Sequence, residues 1–179
     1  MIRYLCLVLA VLLTGCDRAD KADTAPDVLH SLAEQGDTQG LMQAIVSPAQ
    51  VDQRDVCYRT PLMLAAQFGH RDTVRQLLAA GAQVDLHEKG YYTALMLAAG
   101  NGHAEVVSDL ADAGANVNEV EISRGWTALI WAAKRGHRET VAVLLDRGAD
   151  RSHRDDQGRT ARDWALSQKH RQIADLIGS

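Results

Sequence analysis

Residues 60–70 read TPLMLAAQFGH, and the same frame returns at 93–103 as TALMLAAGNGH, at 127–137 as TALIWAAKRGH and at 160–170 as TARDWALSQKH. The opening threonines, Thr60, Thr93, Thr127 and Thr160, are spaced 33, 34 and 33 apart, a period typical of stacked repeat arrays. Within one frame the Thr60 hydroxyl can cap a helix, and Pro61 suits the first helical position, where no amide bond is needed. Leu62, Ala65 and Ala66 form a narrow apolar stripe, and the small pair lets neighbouring units approach closely. Gly69 supplies the left-handed turn that ends this first helix. Val74, Leu77 and Leu78 then recur at i, i+3 and i+4, so a second amphipathic helix packs back. Gly81 stops it, and residues 84–92 make an extended turn into the next unit. One such unit cannot cover its own apolar face, so stacking must supply the core.

Each of the first three frames runs on into a pattern closed by Gly-Ala: VRQLLAAGA, VSDLADAGA and VAVLLDRGA. Together these segments resemble the ankyrin repeat, whose consensus carries Thr-Pro-Leu-His, an Ala pair, Gly-His, a Leu pair and Gly-Ala. The resemblance covers roughly residues 26–179. It implies an all-α ankyrin-repeat solenoid of about five helix-turn-helix repeats, three regular and two capping, joined by extended turns. The repeat domain is assigned to 27–179, divided as 27–52 (N-terminal cap), 53–85, 86–118, 119–151 and 152–179 (C-terminal cap). Leu32, Ala33 and Gly36 lie one period before Ala65, Ala66 and Gly69, and Leu41, Ala44 and Ile45 continue the degenerate first unit. The consensus His after Leu is Met63, Met96, Ile130 and Asp163 here, so apolar packing is expected to replace Thr-to-His hydrogen bonding in the regular repeats. The third inter-repeat turn carries one extra residue within 118–125, which either marks a binding loop or has no function.

Ahead of the array, residues 1–16 read MIRYLCLVLAVLLTGC. Arg3 is a short positive region and residues 5–13 are an unbroken apolar run. At about 1.5 Å per residue that run is too short to cross a bilayer, but it matches a signal-peptide core. Leu13-Thr14-Gly15-Cys16 resembles a bacterial lipobox, which implies removal of 1–15 and lipidation of Cys16. Residues 16–26 then form a polar, Ala-rich tether. Asp17 resembles the signal that retains a lipoprotein in the inner membrane. The expected location is the bacterial cell envelope, facing the periplasm and held to the membrane by Cys16.

The rest of the composition narrows the function classes. The chain has 179 residues with a formal net charge of −4, which lacks the basic footprint of a nucleic-acid binder. Three cysteines are too few for a disulfide framework or a Cys-rich zinc module. His70, His103, His137 and His170 recur with the repeat, but neighbouring repeats lie about 10 Å apart. Imidazoles about 2 Å from a shared zinc could not come from such positions, so the histidines read as structural. No HExxH, CxxC, GxSxG, Walker or GxGxxG motif occurs. No catalytic residue, metal or cofactor is therefore assigned, and Asp155-Asp156 reads as a solvated pair in a turn.

Seven aromatic residues follow the leader: Tyr58, Phe68, Tyr91, Tyr92, Trp126, Trp131 and Trp164. All fall in inter-repeat turns or first helices. The ankyrin resemblance implies partner binding through the turn tips and the concave face of those helices. Phe68, Tyr92 and Trp126 map to outward positions and are expected to touch a protein partner, whereas Trp131 and Trp164 read as inter-repeat core. Arg59, Lys89, Arg124, Lys134, Arg135 and Arg159 share that side and suggest a partly acidic partner. Glu88, Glu119, Glu121 and Asp156 lie in the same turns and weaken that charge argument. Removal of Cys6 and lipidation of Cys16 leave Cys57 in an exposed turn, as a small turn residue or a redox-sensitive contact. The expectation is a monomeric, membrane-anchored periplasmic module that binds an unidentified protein. An immunity protein against a periplasm-delivered toxin, or an accessory factor for an envelope enzyme in oxidative-stress defence, are its alternatives.

Overall fold

A threonine starts each regular repeat in the way its hydroxyl chemistry requires. In the computed structural model, which describes residues 28–178, Thr60 Oγ1 accepts the Met63 N–H at 3.3 Å. Thr93, Thr127 and Thr160 do the same for Met96, Ile130 and Asp163 at 3.3, 3.4 and 3.2 Å. The leader at 1–15, the lipobox cysteine Cys16, Asp17 and the tether at 16–26 lie outside the described residues.

The helices are α1 (Val28–Gln35), α2 (Thr38–Ala44), α3 (Pro61–Phe68), α4 (Arg71–Ala79) and α5 (Ala94–Asn101). They continue as α6 (Ala104–Asp112), α7 (Ala128–Arg135), α8 (Arg138–Asp146), α9 (Ala161–Ser167) and α10 (Arg171–Gly178). A single 3-10 turn, Pro48–Gln50, follows α2. None of these helices is long and apolar enough to cross a membrane. The odd-numbered helices pack on one another in chain order, and the even-numbered ones form a second layer behind them. The core is one continuous cluster along the stack. The Ala pairs 65–66, 98–99 and 132–133 are fully buried, flanked by Leu62, Leu95 and Leu129. Burying each such leucine contributes about 1.5–3 kcal/mol. This is the expected all-α solenoid.

The replaced consensus histidines behave as two chemistries. Met63 and Met96 pack in the core, but the Met63 sulfur also meets the Thr60 N–H at 3.5 Å. In the last repeat Asp163 accepts both the N–H and the hydroxyl of Thr160, each at 2.9 Å. The capping bond is thus kept at both places, which refines the expectation of apolar packing alone.

The periodic histidines join the repeats. His70 Nε2 donates to Glu34 O at 2.9 Å, His103 to Gln67 O at 3.1 Å and His137 to Gly100 O at 3.0 Å. Each ring also lies against the glycine that ends the preceding first helix. A Cβ on Gly36, Gly69 or Gly102 would come within 2.5, 2.5 and 2.6 Å of Nδ1 of His70, His103 and His137. These glycines have φ of +73, +76 and +81, so conformation and space both demand glycine there. The structural reading of the histidines agrees with this geometry.

The second-helix layer is tied across repeats by charge. Arg71 and Arg75 on α4 both grip Asp109 on α6, with Nε to Oδ2 distances of 2.6 and 2.9 Å. One repeat later Arg147 pairs with Asp112.

Candidate partner-binding site

Between repeats the chain folds into short hairpin fingers, each closed around a carboxylate. The backbone bonds Asp55 N to Arg59 O, Glu88 N to Tyr92 O, Glu121 N to Trp126 O and Asp155 N to Arg159 O define the four fingers. In each, the acid turns inward and accepts backbone N–H groups of its own turn. Asp55 Oδ1 takes Cys57 and Arg59, both at 2.8 Å. Glu88 Oε1 takes Gly90 and Tyr92 at 2.6 and 3.3 Å. Glu121 takes Ser123 and Trp126 at 2.7 and 3.4 Å. Asp155 Oδ1 takes Gln157 and Arg159, both at 2.9 Å. Neighbouring fingers are bonded together by Lys89 N to Cys57 O and Asp156 N to Arg124 O. The extra residue of the third turn is absorbed here, between Glu121 and Trp126, where Ile122 stands exposed.

Burial pushes the Glu88 carboxyl up, against the pull of the Tyr92 and Gly90 N–H bonds. Asp155 goes the other way. Burial opposes its ionisation, but bonds from the Arg159 N–H, the Trp164 indole, the Gln157 N–H and the Trp126 indole outweigh it. They hold its carboxyl below the usual carboxylate range. The expectation that Asp155-Asp156 is a solvated pair is therefore corrected: Asp155 is buried and only Asp156 is exposed. The four acids were invisible as a set because each looks like any other turn carboxylate. Their spacing of 33, 33 and 34 was the signal.

At the fingertips Tyr58 and Tyr91 take φ of +64, the left-handed region, where the equivalent Gly125 and Gly158 have φ of +70 and +72. Both tyrosines are exposed, by 51% and 41%. Arg54 lies 5.5 Å and Lys89 5.8 Å from the Tyr58 ring, and His87 stacks on Tyr91 at 4.6 Å. Sequence reasoning placed these tyrosines in the turns but left them out of the contact set. Phe68, at the end of α3, is 44% exposed as expected.

Two expected contact residues are not on the surface. Trp126 is only 3% exposed. Its ring packs edge-on against Trp131 and Trp164 at centroid distances of 4.6 and 5.0 Å, and its Nε1–H donates to Asp155 Oδ2 at 3.0 Å. Trp164 Nε1–H donates to the same oxygen at 2.8 Å. Cys57 is 4% exposed and disulfide-bonded, which corrects the expectation of an exposed turn cysteine. The chain's other cysteines, Cys6 and Cys16, are outside the described residues. Tyr92 is half-buried, with its ring 5.8 Å from that of Trp131. Trp131 and Trp164 are inter-repeat core, as expected.

The cations of the set divide. Arg59 is held at its own finger by Asp55, Nη2 to Oδ2 at 2.7 Å, and Lys89 is exposed beside Tyr58. Arg124, Lys134, Arg135 and Arg159 come together over the indoles. Lys134 Nζ lies 4.4 and 4.7 Å from the Trp126 and Trp164 ring centres. Arg159 Cζ is 3.4 Å from that of Trp164, Arg124 Cζ 4.9 Å from that of Trp126, and Arg135 Cζ 5.5 Å from that of Trp131. Burial, and then the guanidinium groups of Arg124, Arg135 and Arg159, hold the Lys134 ammonium below the usual lysine range.

A family model for ankyrin repeats, in three copies, matches residues 29–121 and 118–178. A search of curated proteins gives no match. The family match marks a protein–protein interaction module, with helices stacked as that family requires. The chain is a member of the ankyrin-repeat family.

Proposed function

We propose that this protein is a lipid-anchored binding module of the bacterial cell envelope that holds a protein partner along its finger and first-helix side. The observation that carries the binding reading is Tyr58 and Tyr91. Two adjacent repeats place a bulky aromatic at a backbone conformation that favours glycine, and both rings face solvent. Strain of roughly 1–2 kcal/mol per residue is retained where function uses the side chain. With Phe68 nearby in the repeat frame, these rings supply exposed anchors of the kind that dominate interfaces.

Photo-crosslinking residues placed at 58, 68 and 91 test the surface, with Glu139 on α8 as the control position. Adducts to one protein from the finger positions, and none from 139, are expected. Equal labelling from both faces, or none from the fingers, refutes the assignment. Anchoring is tested by the intact mass of the mature chain. A mass that lacks residues 1–15 and carries the lipid supports the anchor, and an unlipidated chain refutes it.

A further inference from the structure

Rings and cations interleave at the C-terminal half of the stack in a way that protein stability alone does not require. In the second-helix layer Arg71, Arg75 and Arg147 each meet an acid of the next or preceding repeat. On the finger side of α7 and α9 the pattern is reversed. Among the described residues no ion pair involves Arg124, Lys134 or Arg135. The nearest acid to this group, Asp155, is buried and spends its oxygens on two backbone N–H groups and two indoles. Arg159 Nε stands 3.9 Å from it, too far for a hydrogen bond.

Unmet donors are concentrated in the same place. Trp131 Nε1–H and Arg159 Nε–H are buried and have no hydrogen-bond partner among the described residues. A shallow hollow beside Trp131 is lined by Tyr92, Met96, Leu97, Gly100, Asn101 and Trp131 itself. Four like charges are thus held on a shelf of three indoles, with two unmet buried donors among them and a shallow hollow at Trp131. Like charges this close repel, and the single buried carboxylate of Asp155, 3.9 Å from Arg159, offsets only part of that repulsion, which an outside anion relieves further.

We propose that Arg124, Lys134, Arg135 and Arg159 form a carboxylate-binding site for an acidic segment of the protein partner. The proposal rests on the binding-module reading and names the chemistry of the partner. Charge complementarity argues for it: this patch is cationic on a chain whose net charge is −4. A long polyanion such as nucleic acid would meet that overall negative field, whereas a few carboxylates on a folded partner meet only the patch. The guanidinium forks suit carboxylate geometry, and the indole faces hold the cations in place before binding. An anion at the patch favours the charged form of Lys134, which burial and the guanidinium groups of Arg124, Arg135 and Arg159 disfavour.

The test is anisotropy titration of the full mature chain with labelled hexaglutamate and hexaglutamine peptides. The wild type and the Lys134→Met and Arg124→Gln/Lys134→Met variants are compared. Met keeps the stem of Lys134 against Trp126 and Trp164. Hexaglutamate is expected to bind at least tenfold more tightly than hexaglutamine, to shift tryptophan emission, and to lose that advantage in the double variant. The melting temperature of both variants is expected to stay level or rise, because repulsion is relieved. A fall in melting temperature, equal affinity for the two peptides, or retained preference in the double variant overturns the proposal. Tighter binding of hexathymidylate, or displacement of hexaglutamate by millimolar phosphate, also overturns it in favour of a general phosphate site. Intact crosslinking at 58 and 91 with no glutamate preference removes this site alone. Loss of finger crosslinks in the wild type removes the binding-module reading itself.

Discussion

Replacing Asp155 by Asn is the sharpest probe of how the last two repeats are held together. The carboxylate accepts two backbone N–H groups on Oδ1 and the indoles of Trp126 and Trp164 on Oδ2, and its side chain has no exposed surface. An Asn keeps one carbonyl oxygen, enough for the backbone pair. Its amide N–H₂ then faces two indole donors, and both are left without an acceptor. A buried donor without a partner costs roughly 1–3 kcal/mol, so the substitution should cost about 2–6 kcal/mol. Across a stack of this length, about 2–4 °C per kcal/mol puts the fall in melting temperature at roughly 4–24 °C. Urea unfolding followed by tryptophan emission and by far-ultraviolet circular dichroism measures it. The two signals should separate, with emission changing first, because repeat stability is a sum of units and interfaces. The acid limb gives a second reading. The folded carboxyl titrates below its ordinary value, so its contribution is complete above about pH 4 and is lost as pH falls through the folded value. The Asn variant should lack that loss. A cost within about 0.5 kcal/mol of zero, with an unchanged acid limb, would refute the proposed role of the carboxylate.

Lys169 occupies a left-handed position at φ +67 after α9, so Lys169→Gly should stabilise the chain by roughly 1 kcal/mol in denaturant titration. Tyr58→Gly and Tyr91→Gly should each raise the melting temperature, by about 0.5–1 kcal/mol of added stability, while weakening partner binding. Stability lost together with binding would show that the tyrosines serve the fold. The depressed Lys134 ammonium makes stability rise with pH above the folded pKa and up to the unfolded value of 10.5. Melting temperatures taken from pH 8 upward should show that gain in the wild type and a smaller one in Lys134→Met.

The fold was legible because every repeat says the same thing at the same place. The capping threonines, the buried Ala pairs and the terminal glycines each recur, so an error in one frame is outvoted by the others. The site was harder to read because fingers are judged one residue at a time. Trp126 sits where the repeat pattern points outward, and its packing against Trp131 and Trp164, with the cross-repeat bond to Asp155, draws it inside. Glu119 and Glu121 are two residues apart and chemically alike, yet Glu121 is buried inside its finger while Glu119 bonds Asn116 near the surface. The buried acids give their oxygens to backbone N–H groups and indoles, and only Asp155, 3.9 Å from Arg159, stands beside a cation of the indole cluster. Arg124, Lys134 and Arg135 have no ion pair among the described residues. Tyr58 and Tyr91 were missed because nothing in a tyrosine's type announces a positive φ. Their alignment with Gly125 and Gly158 would have done so.

The histidine–glycine joint also determines where the array stops. Each internal repeat carries a socket, the glycine, and a plug, the histidine one residue later, so any whole copy mates with any other. The first repeat keeps its socket at Gly36 but has Asp37 in place of the plug, and that carboxylate caps its own helix through Gly40 N at 2.9 Å. The last keeps its plug at His170 but has Lys169 in place of the socket, and the lysine holds the same left-handed bend with a side chain where the internal repeats have none. The array can therefore gain or lose internal copies by duplication or deletion without remaking a single joint. Its two ends stay closed to growth, and two assembled molecules cannot mate end to end through this joint into a fibre.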